Sequence, residues 1–323
     1  MGRFWLGAAG VLMAGLLFTG AVDNEFYFFS GYVILQGLIM ATAWNILGGF
    51  TGYVNFGSAG FFAVGAYTSV ALHQAFALPL PLLILAGGMV CGLMGLAAGY
   101  LTLRLKGIYF AIATLAMAIV LETVVTNWEY VGGASGAYIL TPENSLFFAS
   151  YVELMFMVML IIAIAAVAFA RYLSSSRTGQ GLTAIRDDEL AAECMGVPTL
   201  RLKLVSATAM GVFMGMAGAP FPFFITFVDP LSAFSLVIAV NAIAMPLIGG
   251  TKVWYGPVIG ALILGLTQEI TTVTISSELN LLIVGVVLIG FITLAPGGIV
   301  GLVQDFYRKY FPPKAAPVEG GDR

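Results

Sequence analysis

Polar and apolar residues along this chain separate on the length scale of a bilayer, not of a helix face. Runs of about 20 apolar residues, the length a helix needs to cross a hydrocarbon core, fall at 4–22, 25–47, 57–77, 80–103, 107–127, 146–170, 204–226, 233–250, 256–273 and 280–303. The pattern predicts an all-α polytopic membrane protein of about ten transmembrane helices occupying residues 1–311. Charge collects in the gaps between runs. Arg3, Arg104 with Lys106, the stretch from Arg171 to Lys203, Lys252, and Arg308 with Lys309 fall on one side when every run is counted as a span. Asp23, Glu25, Glu129, Glu143, Asp229 and Glu278 fall on the other. Basic loops stay in the cytoplasm, so this asymmetry predicts that both termini are cytoplasmic.

The two ends of the chain carry separate expectations. Arg3, the apolar stretch after it and the small residues Thr19, Gly20 and Ala21 fit a cleaved signal peptide. The run continues to Val22, which also fits a retained first helix. Residues 312–323 are rich in Pro and Gly without an apolar period, the composition of a disordered tail.

Composition narrows the function classes. At 60% hydrophobic and 9% charged residues, with a mean hydropathy of +1.00, the chain lacks the roughly one-quarter charged content of soluble domains. No basic face points to nucleic acid, and the expected surroundings are a lipid bilayer. Cys91 and Cys194 fall at different depths and read as free thiols. The sequence holds no phosphate-binding Gly-x-x-x-x-Gly-Lys loop, no zinc-binding His pair and no nucleophile elbow. The lone His73 reads as an interfacial polar residue. Glu122, Glu153 and Glu269 map near the outer ends of spans, leaving the midplane without the carboxylates that ion-driven carriers use as relays.

Two segments interrupt the apolar pattern. The first, residues 174–199, crowds Arg177, Arg186, Asp187, Asp188, Glu189 and Glu193 into one gap. From Thr178 to Met195 it lacks Pro and stops at Gly196 with Pro198 beyond, the signature of a helix with a defined end. Leu182, Ile185, Ala192 and Met195 recur at spacings of three and seven. Acid outnumbers base, which suits a groove on a soluble protein better than anionic lipid. The second segment, Gly48–Gly60, holds five glycines with Thr51, Asn55 and Ser58. Broken backbone at membrane depth survives only where protein buries it or water lines it. A re-entrant element beside a translocation path and an ordinary cytoplasmic turn both fit. Asn45, Thr114 and Asn241 lie inside spans, where a polar group either joins helices or faces an aqueous path. Residues 46–58 resemble 247–257, and 101–108 resemble 292–299. This is a same-direction internal repeat of the kind transporters use, or two helix ends that share a Gly-Gly stop.

Three stretches in combination, Asn45–Tyr67, Leu103–Ala116 and Ser176–Gly196, resemble the permease subunits of ABC importers for branched-chain amino acids, the LivM type. The resemblance covers nearly the whole chain. It implies that the third stretch is the cytoplasmic coupling helix that docks on an ATPase. Glu189, Ala191, Ala192, Glu193 and Gly196 match its pattern, Arg177, Gly179, Ala184, Ile185 and Arg186 match the residues before it, and Asp187 lies on the same polar side. Gln180 and Gly181 depart from the pattern. The resemblance further implies a transport subunit and not an enzyme, in a bacterial inner membrane, with no cofactor on this chain. Its partners would be a second permease of the LivH type, two ATP-binding subunits carrying ATP and Mg, and a periplasmic substrate-binding protein. Asn45, Thr51, Asn55, Ser58, Thr114 and Asn241 are then the candidate path residues. Related permeases move urea, short amides or simple sugars, and an autonomous secondary carrier stands as the reading from another class.

Overall fold

The structure is a computed structural model in which residues 2–22, 24–139, 150–274, 277–294 and 297–310 are described. The first half holds α1 (Gly2–Ala21), α2 (Glu25–Thr51), α3 (Ser58–Phe76), α4 (Leu80–Thr102) and α5 (Ile108–Thr126). Two single 3-10 turns and the strand β1 (Ala137–Tyr138) follow. Then come α6 (Tyr151–Ser175), α7 (Arg177–Asp187), α8 (Glu189–Cys194), α9 (Thr199–Gly218), α10 (Phe221–Ile225), the strand β2 (Phe227–Val228) and α11 (Pro230–Ala233). The chain continues through α12 (Leu236–Gly249), α13 (Gly256–Thr274), α14 (Ser277–Leu294) and α15 (Gly298–Tyr310). Seven helical stretches among the described residues are long and apolar enough to span a bilayer: Phe4–Ala21, α2, α4, α5, α6, Thr199–Ile225 and Pro230–Gly249. The protein is a multi-pass, all-α membrane protein.

Local chemistry sets the helix ends. The Asn24 side chain accepts a hydrogen bond from Phe26 N at the start of α2, and Gly52 closes that helix at φ 78°. Ser150 caps α6 and Ser235 caps α12 in the same way, satisfying amides that a helix start leaves free. Inside the bundle, α2 is enclosed from Leu38 to Thr51 and packs against α6, α9, α12 and α13. α9 lies almost backbone to backbone with α4. A Cβ on Gly215 would sit 2.5 Å from Gly87 O, and one on Gly211 would collide with Cys91 O. Only hydrogen at those positions allows the approach, which is how helices gain dispersion energy in lipid.

The ends of the bundle differ in charge. At one end β1 and β2 pair antiparallel, with Ala137 opposite Val228. There Ser150 donates to Glu25 and Tyr130 OH reaches Ala71 O at 3.4 Å. Ser30 donates to Glu269 at 2.9 Å, toward the same end. At the other end lie the 52–57 and 103–107 connections, α7, α8 and the turn after α12. Arg171 stacks over Phe4 and Trp254 there. Asp23 and Glu143 lie outside the described residues, as does the tail at 312–323.

The structure corrects two expectations about helix extent. The charged stretch from 178 to 195 is two helices, because Asp188 is extended (φ −159°, ψ 110°) and caps α8 with its own carboxylate. The run at 280–303 is also divided: α14 ends at Leu294, and α15 begins at Gly298 with φ 66°. That break bears on the repeat. α2 to α5 and α12 to α15 follow one another in the same order. Gly52 and Gly250 both take positive φ after the first helix of each set, and Gly107 and Gly298 both do so around the start of the fourth. Only Gly107 and Gly298 are matched by the paired sequences; Gly52 (ψ 4°) and Gly250 (ψ 112°) differ in conformation, and Gly250 is matched with Gly49, inside α2.

Candidate coupling and pathway site

The break between α2 and α3 builds the site. Thr51 Oγ1 turns back to Leu47 O at 2.6 Å, Gly52 reverses the chain, and residues 53–57 run without helix. Side chains replace the lost helical bonds. Trp44 Nε1 donates to Asn55 O at 2.8 Å, Gly57 N to Asn55 Oδ1 at 2.6 Å, and Phe56 N to Thr114 Oγ1 at 3.1 Å. Thr51, Asn55, Ser58 and Thr114 are buried together around this break, and Asn45 is buried on the last turns of α2 beside it. Protein buries the segment, one of the two conditions under which broken backbone is tolerated in a membrane. Ser58 Oγ and both polar atoms of the Asn45 carboxamide have no hydrogen-bond partner among the described residues. Asn241 is not part of this group. It sits on α12 and accepts from Gln268 Nε2 of α13 at 3.0 Å.

The charged segment folds back onto the break through one carboxylate. Because Asp188 caps α8 (its Oδ1 accepts from Leu190 N at 2.9 Å and Ala191 N at 3.1 Å), Glu189 stands first in that helix, facing the bundle. Lys203 Nζ, one turn into α9, donates to Glu189 Oε1 at 2.8 Å, to Tyr53 OH at 3.1 Å and to Leu103 O at 3.0 Å. Tyr53 OH donates to Glu189 Oε2 at 2.7 Å, and Lys106 adds an ion pair at 3.7 Å. The Lys203 side chain is only 4% exposed and that of Glu189 14%. Burial pushes the Glu189 carboxyl upward. The hydrogen bonds from Lys203 and Tyr53 and the charges of Lys203 and Lys106 outweigh it, and the group ends below the usual carboxylate range. A second tie runs from Arg186 Nη1 to Gly49 O at 3.2 Å. A cleft of about 400 Å³ opens beside these groups, lined by Thr51, Tyr53, Lys106, Arg186 and Glu189 among others.

This geometry redistributes the residues read from the sequence. Gly179 is buried where α6 turns into α7, its amide bonded to Ser176 Oγ at 3.1 Å, and a Cβ there would strike Leu173 O. Ala192 is also buried, and its carbonyl accepts from Val197 N at 3.0 Å. Ala192 thus packs closely within its own chain. Glu193 accepts from Thr199 Oγ1 at 2.6 Å, and Gly196 turns the chain at φ 83°. Arg177, Asp187 and Ala191 are exposed, as are Leu190 at 64% and Met195 at 84%. The sequence reading missed Tyr53, Lys106 and Lys203. Lys203 left a trace, a cation at the mouth of an apolar run with no acid nearby in sequence. Tyr53 left none, since an aromatic in an apolar chain is unremarked.

A family model described as branched-chain amino acid transport system / permease component matches residues 26–292. The chain belongs to this permease family. Among relatives, the high-affinity branched-chain amino acid transport system permease protein LivM of Salmonella typhimurium is 25% identical over 293 residues, covering 83% of this chain and 68% of that protein. The LivM protein of Escherichia coli matches to the same extent. The probable branched-chain amino acid transport permease protein LivH of Methanocaldococcus jannaschii is 25% identical over 270 residues, covering 78% of this chain and 84% of that one. No solved structure matches. As a permease component, the chain works with partner subunits. All three matching stretches named above fall largely inside the family region, and the Glu189–Lys203–Tyr53 junction lies wholly within it.

Proposed function

We propose that this chain is one of two nonidentical permeases in an ATP-driven importer of branched-chain amino acids in a bacterial inner membrane. The reading adds α3, α13 and α14 to the seven apolar stretches to make ten spans, with both termini and the basic end in the cytoplasm. The partners are a LivH-type permease, two ATP-binding subunits that carry ATP and Mg, and a periplasmic binding protein. The chain itself holds no cofactor and catalyses no reaction.

The junction of Glu189, Lys203 and Tyr53 is the observation that carries the coupling part of this reading. It joins the exposed α8 to the broken segment between α2 and α3, so a displacement of one is felt by the other. A ligand or partner shifts a conformational equilibrium only by contacts that differ between states. Here the exposed Leu190, Ala191 and Met195 supply the face an ATPase would grip, and the half-buried Glu189 passes its movement inward.

Reconstitution of the complex in proteoliposomes tests the reading. ATP-dependent uptake of leucine should exceed that of urea and of ribose. Ala191→Trp should lower uptake at least tenfold by weakening attachment of the ATP-binding subunits, while insertion of the chain is unchanged. Full-rate transport by the purified chain with no ATPase present would overturn the proposal in favour of an autonomous carrier.

A further inference from the structure

Between α2, α12 and α13 the helices part around a cavity of about 260 Å³. Its lining is of two kinds. Val33, Ile238 and Met245 contribute to an apolar wall, and Gln36, Asn241 and Gln268 contribute one carboxamide from each helix. Among the described residues no ionisable side chain takes part. The contact between Gln268 and Asn241 uses one donor and one acceptor, which leaves Asn241 Nδ2 and Gln268 Oε1 open. Gln36 has no hydrogen-bond partner among the described residues. It stands 11 residues along the 27-residue α2, about 16 Å from the acidic end at 1.5 Å per residue, close to the middle of the membrane.

An unpaired carboxamide facing hydrocarbon costs several kcal/mol, so lipid tails are poor occupants of this space. The occupant must offer donors and acceptors on one side and apolar surface on the other. Neutral carboxamides both donate and accept, and three of them can meet an ammonium and a carboxylate together without burying a fixed charge. A polyol would need polar partners on every side, and urea would leave the apolar wall unused. The volume equals about nine waters at roughly 30 Å³ each, room for a molecule of leucine's size.

We propose that this cavity is an intramembrane holding site for an aliphatic α-amino acid, its ammonium and carboxylate on Gln36, Asn241 and Gln268 and its side chain against Val33, Ile238 and Met245. The inference rests on the reading of the chain as an amino-acid permease and adds to it the groups that hold the cargo midway.

The test uses the full complex in proteoliposomes with saturating binding protein and labelled leucine. The triple variant Gln36→Leu, Asn241→Leu, Gln268→Leu should lower leucine uptake at least tenfold while ATP hydrolysis stays stimulated by loaded binding protein. Because that variant can fail to assemble, Gln36→Glu serves as a near-isosteric second probe. A carboxylate there repels the cargo carboxylate, so uptake relative to wild type should fall at least fivefold at pH 8 and recover at pH 6. Uptake within twofold of wild type in the assembled triple variant, or a Gln36→Glu ratio near one at both pH values, would overturn the holding site. A wild-type complex that carries ribose or urea but no leucine would instead overturn the functional reading.

Discussion

Lys203 places its amino group where few partners can reach it. The residue is 3% exposed, and its three contacts come from α8, from the turn after α2 and from the end of α4. Removing one partner of such a pair leaves a buried charge unmatched and costs about 3–5 kcal/mol. Lys203→Met should therefore lower the thermal unfolding midpoint of the purified chain more than Lys106→Met, because the Lys106 side chain is 59% exposed and its pair belongs to the weak surface class. The pH dependence follows from Glu189. Its carboxyl is held below its ordinary value in the folded chain, so its contribution is complete above the unfolded value and lost as pH falls through the lowered folded one. Wild type should lose stability across that acidic range by more than Glu189→Gln does, in unfolding scans of both proteins at matched ionic strength. Equal slopes for the two proteins would remove Glu189 from the account.

Among the helices, α9 approaches α4 closely enough for backbone to meet backbone. Its face toward α4 places Gly211 and Gly215 against the carbonyls of Cys91 and Gly87. A leucine at position 215 cannot be accommodated by rotating a side chain, since backbone lies 2.5 Å from the new Cβ. Gly215→Leu should part α4 from α9 and sharply reduce the yield of monodisperse protein in size-exclusion chromatography. Gly10→Leu, at a position on α1 with nothing within 4 Å, should leave the elution profile unchanged. The difference between the two separates a packing role from a general intolerance of bulk in apolar helices. The same logic explains why the charged segment divides. Asp188 gives its carboxylate to the amides of Leu190 and Ala191, a local bond that competes with continuing the helix.

Across the whole molecule, the connections at the two ends of the bundle differ in charge and in how they are tied. The basic connections are tied to one another at one end by Lys203 to Leu103 and Arg186 to Gly49, and the connections that hold Glu129 and Asp229 meet where β1 pairs with β2. Single cysteines at Thr178 and Ser135, introduced with Cys194→Ser because Cys194 is exposed and Cys91 is not, should react with an impermeant thiol reagent from opposite sides of the membrane. Thr178 should be reached from the cytoplasm. Labelling of both positions from one side would invalidate the ten-span arrangement.

Apolar run length and charge placement were enough to read a polytopic helical protein, the segment at 174–199 and the interruption at 48–60, because both signals are local in sequence. The helix stop at Gly196 acts over three or four positions and was legible for the same reason, while the division at Asp188 was not, because its carboxylate preferred local amides to the helix around it. The junction was not legible. Tyr53, Lys106 and Glu189 lie far apart along the chain, and only the packing of α9 against α2 and α4 brings Lys203 among them. The placement of Asn241 was decided the same way. Its type marked it as a polar residue that lipid cannot satisfy, but whether it joined Asn55 or faced Gln268 and Gln36 depended on which helices lie beside α12. Sequence sets what each segment can bury, and the tertiary structure chooses which buried groups meet.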